Sequence, residues 1–147
     1  MYKKATPTKR PTKLELTEKW YLVDAKGYPL GRLASKLARL LIGKEGANFD
    51  PAVLYPIKVV VINAAAIKLT GKKLTQKKYY RHSGYMGGLK TIVLGDVMQK
   101  NPALVIEKAV SGMLPKNKLR RLRLANLKVY PETSYPHTAQ KPVNLEL

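Results

Sequence analysis

The chain predicts an α/β fold, and two observations carry that prediction. A short strand pattern, "KWYLVD" at residues 19–24, precedes an amphipathic helix pattern, which is followed by the continuous β-branched run "IKVVVIN" at 57–63. Strand, helix, buried strand is the β-α-β unit, whose crossover makes the two strands parallel. Length and composition agree: 147 residues with 45% apolar side chains suit one compact domain.

The elements follow in order. Residues 19–24 end at the turn-forming "AKGYP". From Leu30 to Ile42 apolar residues fall at 30, 33, 34, 37, 38 and 41, one face of a helix that Gly43 is placed to stop. Arg32, Lys36 and Arg39 fall on another face, either a solvated stripe or a set of RNA contacts. A turn-rich loop, 43–56, leads into the run at 57–63, which suits a strand covered on both faces. "NAAAIKLTG" at 63–71 reads as a turn and a short returning strand, and "KTIVL" at 90–94 as a further strand.

"NPALVIEKAVSGML" reads as a helix with Asn101 as its N-cap, Pro102 in the first turn and Gly112 near its end. Ala103, Ile106, Val110 and Met113 form its expected apolar face. In "PKNKLRRLRLANLKVYP", 115–131, Leu119 and Leu122 are expected to face the core, with Lys118, Arg120, Arg121 and Arg123 pointing away. Prolines break up both ends of the chain. The expected organisation is a basic N-terminal arm (1–18), an α/β domain (19–131) and a C-terminal strap without regular structure (132–147). The arm is either a solvated tail or a segment ordered by its partner.

Charge narrows the function. The chain carries 28 Lys and Arg against 9 Asp and Glu, a net charge of +19. A field of that size calls for a polyanion, and nucleic acid is the usual one because neutralised phosphates release counterions. A membrane surface is disfavoured by the scatter of the basic segments and the scarcity of Trp and Phe. No apolar run reaches membrane-spanning length and no secretory leader pattern is visible, so a soluble, intracellular protein is expected. Eight cations and no acid lie between Pro51 and Gly95; seven cations and no acid lie between Lys108 and Pro131. A merely solvated face mixes signs, because neighbouring like charges repel. These two tracts are the expected phosphate-binding surface.

Within "KKYYRHSGYMGGLK", 77–90, Lys77, Lys78, Arg81 and Lys90 can neutralise phosphates, with Lys72 and Lys73 just upstream. Tyr79, Tyr80 and Tyr85 can stack on unpaired bases or pack in the core. Gly84, Gly87 and Gly88 allow close backbone approach or simple loop flexibility. The second tract supplies Lys116, Lys118, Arg120, Arg121 and Arg123.

Two other readings compete with RNA binding. A nucleotide-binding enzyme lacks its motifs here: the glycine spacing is G-x-x-G-G, and neither glycine-rich phosphate template occurs. Two histidines, no cysteine and scattered carboxylates leave little for acid-base, nucleophilic or metal chemistry. A DNA-binding regulator would show a helix-turn-helix, zinc-finger or zipper pattern, and none is found. Basic and aromatic groups dispersed along loops favour an irregular folded RNA.

Five blocks, "KWYLVDAKGYPLGRLASKLARLLIGK", "INAAAIKLTGKK", "KKYYRHSGYMGGLK", "AVSGMLPKNKLRRLRLANLKVYP" and "HTAQKP", resemble in order and spacing the bacterial and organellar form of ribosomal large-subunit protein thirteen. They span residues 19–142. The resemblance implies a three-layer α/β/α domain with a mostly parallel four-stranded sheet. It implies a non-enzymatic protein of the large subunit that binds large-subunit rRNA beside neighbouring ribosomal proteins and acts early in assembly, with no cofactor and no small-molecule substrate. The location would be the cytoplasm or an organellar matrix. The family's tyrosine-histidine-glycine pattern maps onto Tyr79, Tyr80, His82, Ser83, Gly84, Gly87, Gly88 and Lys90; its "GMLPK" block maps onto Gly112 to Lys116. Two departures stand out: "AVLYPIKVVVIN" lacks the acid usual before the second strand, and "PKNKLRR" replaces the more common "PKGPLGR".

Overall fold

The computed structural model describes residues 16–46 and 49–146. Nearly all of the expected basic arm therefore lies outside the described residues. Helices flank a four-stranded parallel sheet, in agreement with the three-layer α/β/α expectation. Strand β1 (Lys19–Asp24) pairs with β2 (Ile57–Ile62) along its length, from Lys19 opposite Ile57 to Asp24 opposite Ile62. Helix α1 (Leu30–Ile42) connects them, as the β-α-β pattern predicts.

The physical cause of this unit is burial. Val59, Val60, Val61 and Ile62 are all buried, which is why β2 shows no polar alternation. α1 buries the expected Leu30, Leu33, Ala34, Leu37, Ala38 and Leu41, and also Leu40 and Ile42. Gly43 ends it with φ +85°, its N–H donating to the Arg39 and Leu40 carbonyls. A Cβ there would stand 2.5 Å from Tyr55 Cδ2, so the stop and the packing of the next loop both need glycine.

The rest of the chain departs from expectation in five places, the last of them in the strap. Residues 63–71 form a short 3-10 turn (Ala64–Ala66) and a single bridge, Pro29 to Lys68, in place of a returning strand. Short helix α2 (Lys73–Gln76) follows. Second, the strand foreseen at 90–94 is β4 (Leu89–Val93); it lies outside the main sheet and pairs antiparallel with β3 (Lys78–His82). Third, Leu94 opens helix α3 (Leu94–Lys100), and α4 (Pro102–Met113) follows with the predicted cap: Asn101 Oδ1 accepts from Leu104 N–H at 3.3 Å. On α4 the buried residues are Val105, Ile106 and Val110, whereas Met113 is 44% exposed and Leu114 is buried in its stead.

The fourth departure is helix α5 (Leu119–Ala125), which is rotated from its expected register. Leu122 is 49% exposed and Arg123 only 1%. Strand β5 (Leu127–Val129) then adds to β2, and the strap ends in a two-residue strand, β6 (Val143–Asn144), on the other edge of β1. The sheet order is β5-β2-β1-β6. The strap gains that structure because the β1 edge offers free backbone groups: Leu145 N–H donates to Leu22 C=O at 2.8 Å.

Candidate nucleic-acid interface

The C-terminal part of the first acid-free tract forms a largely exposed hairpin. Antiparallel pairing puts Arg81 opposite Lys90, and Tyr79 opposite Ile92, on one face; Tyr80 opposite Thr91 and His82 opposite Leu89 lie on the other. Lys78, Arg81, His82 and Lys90 are exposed, Tyr80 is 66% exposed and Tyr85 at the tip 80%. Exposed aromatic faces beside exposed cations form a surface able to stack on bases while neutralising phosphates.

The tip is held in shape by backbone bonds. Ser83 N–H donates to Gly88 C=O at 3.1 Å, and Gly88 N–H donates to Tyr85 C=O at 2.9 Å. Gly87 takes φ +72°, and a Cβ on Gly88 would meet Ser83 Oγ at 2.0 Å and Tyr85 C=O at 2.9 Å. Their first duty is thus conformational. His82 Nδ1 accepts from Gly84 N–H at 3.0 Å, which in the neutral ring leaves Nε2–H as an outward donor.

Tyr79 differs from its neighbours. It packs against the core, and burial pushes its phenol above the usual range. Lys77, half-buried, places Nζ 5.5 Å from the centre of the Tyr79 ring, a cation-π contact. Lys73 Nζ donates to Thr70 Oγ1 at 2.8 Å, and Lys72 stands exposed at the start of α2.

The second tract divides. Lys116, Lys118 and Arg121 are exposed. Arg120 is half-buried, its Nη2 donating to Ser111 C=O at 2.5 Å and Ser111 Oγ at 2.9 Å, which fastens α5 to the end of α4. Arg123 corrects the sequence-based expectation: its guanidinium is inside the protein, Nη2 donating to the Pro51 and Val53 carbonyls at 3.1 and 3.3 Å. Loss of solvent lowers its pKa, with Tyr55 pulling the other way. It serves as an internal clamp on the loop before β2, and so is withdrawn from the expected RNA contacts.

Sequence reasoning also passed over two cations. Lys68 and Lys108, one from each tract, line a cleft of about 430 Å³ together with Lys73 and Lys77. Their membership of the tracts was the available signal; only the fold shows that the tracts meet.

Comparison with known proteins decides the family. Residues 18–136 match the family described as ribosomal protein L13. The chain belongs to the ribosomal protein L13 family. It is 49% identical over 137 residues to the large ribosomal subunit protein uL13 of Desulfovibrio desulfuricans, covering 93% of this chain and 95% of that protein. The uL13 of Carboxydothermus hydrogenoformans is 54% identical over 128 residues, 87% of this chain and 90% of the relative. That of Thermobifida fusca is 50% identical over 137 residues, 93% and 92% respectively. Membership of the L13 family makes the chain a structural component and not an enzyme. Among the described residues no helix is long and apolar enough to cross a membrane.

Proposed function

We propose that this chain is a structural constituent of the large ribosomal subunit, binding large-subunit rRNA and supporting early subunit assembly in the cytoplasm or an organellar matrix. The observation that carries the reading is the β3–β4 hairpin, which presents Arg81 opposite Lys90 on one face, exposed Tyr80 on the other and exposed Tyr85 at its tip. The proposed contacts are Lys72, Lys73, Lys77, Lys78, Tyr80, Arg81, His82, Tyr85, Gly87, Gly88 and Lys90, with Lys116, Lys118, Arg120 and Arg121 from the second tract. Residues 1–18 would act as a basic arm, 19–131 as the RNA-binding domain and 132–147 as a strap.

The mechanism is electrostatic and geometric. Cations neutralise the phosphates of RNA helices brought close together, and the tip glycines hold the backbone in a shape that approaches them. Bridging cations lower the repulsion that opposes RNA compaction, which is how such a protein promotes assembly. Neighbouring large-subunit proteins are the expected protein partners.

The test is sedimentation of the tagged chain expressed in cells. The reading predicts that it travels with large subunits and their assembly precursors. Recovery only as free protein, or on DNA, contradicts it.

A further inference from the structure

We infer that the lysine-lined cleft between the two acid-free tracts receives a single unpaired nucleotide of the bound RNA. The inference rests on the RNA-binding reading above and adds what this part of the surface recognises. Four lysines, Lys68, Lys73, Lys77 and Lys108, border the cleft, and among the described residues no carboxylate lines it. Glu107, beside Lys108 in the chain, borders the neighbouring cleft instead.

Charge alone would suit any phosphate, but the walls are apolar. Leu30, Leu69, Ala109 and Met113 line the cleft, and Met113 is 44% exposed near the end of a helix whose other large apolar groups are mostly buried. A duplex backbone presents only sugars and phosphates and would leave those walls facing water. An unstacked base covers them, with the polarisable Met113 thioether as a contact for the ring. The volume of about 430 Å³ lies toward the small end of the range for small-molecule pockets, which suits one nucleotide. Cationic rim and apolar wall therefore match the two halves of a nucleotide, phosphate and base.

Two glycines allow the cleft to be filled without touching its charge. Gly112 and Gly31 both line it, neither has positive φ, and a Cβ on either meets nothing within 4 Å. Gly112→Leu and Gly31→Leu should fold with melting temperatures no lower than the parent's, since leucine favours a helix over glycine. Each should weaken binding to a large-subunit rRNA fragment by about tenfold or more while leaving the salt dependence unchanged, because no cation is lost. Parent-like affinity in both folded variants overturns the inference while leaving the wider RNA-binding reading intact; failure of the parent chain itself to bind overturns both.

Two further arms define the ligand. A photoreactive p-benzoylphenylalanine at Met113 should crosslink to a nucleotide that chemical probing reports as unpaired, and crosslinks confined to paired helices would overturn the inference. Adenosine and uridine monophosphate, tested free in solution, should show no saturable binding at micromolar concentration. Tight binding of either would instead make this a small-molecule site.

Discussion

Arg81 and Lys90 stand directly opposite each other across the β3–β4 hairpin, both exposed. Like charges in that position destabilise a two-stranded ribbon, so the free protein carries a cost that an RNA phosphate would relieve. Arg81→Glu reverses both effects. It should stabilise the free hairpin by about 0.2–1 kcal/mol and at the same time weaken rRNA binding. Thermal melting and a binding titration on the same preparation check the opposite signs.

Arg121 and Arg123 are two residues apart and have different duties. Arg123→Leu leaves the Pro51 and Val53 carbonyls without their donor and should cost about 2–4 kcal/mol of stability, read by denaturant unfolding. Arg121→Gln, at an exposed position, should stay within about 0.5 kcal/mol of the parent yet reduce RNA affinity. Equal stability loss in the two variants would contradict this assignment.

Gly88→Ala tests the hairpin tip. The added Cβ collides with Ser83 and with the Tyr85 carbonyl, so the turn must open. Because the tip is exposed, global melting should hardly change, while RNA affinity falls. Amide exchange at Ser83 and Gly88 should accelerate in the variant.

Glu18 provides a pH prediction. Its Oε1 accepts from Lys58 Nζ at 2.5 Å and from Trp20 Nε1 at 2.8 Å, and these bonds, Lys58 first, lower the carboxyl pKa below 4.5. A depressed folded-state pKa means that the contribution is complete above about pH 4.5 and is lost as pH falls through the lower folded value. The fluorescence of Trp20, the single tryptophan, should report that loss. Glu18→Gln should abolish this acid transition.

Local pattern explains what could be read in advance. α1 and β2 were legible because each buries a face or faces complete enough to impose a period on its own residues. The cap of α4 was legible because Asn101 and Pro102 act within one turn. α5 was not: Leu119 and Leu122 mimic an apolar face, but the partners that bury Arg123 are carbonyls about seventy residues away, at Pro51 and Val53. β6 has two residues and no pattern of its own; it exists because the β1 edge is there to pair with. For the site, the acid-free tracts marked the cations, yet only the fold separates Arg123 from the exposed set and brings Lys68 and Lys108 to one cleft.

The salt dependence of binding to a large-subunit rRNA fragment tests the central claim most directly. If about six to ten phosphates are neutralised, affinity should fall by about 10³- to 10⁵-fold between about 50 and 200 mM salt. A flat response over that range would contradict the account.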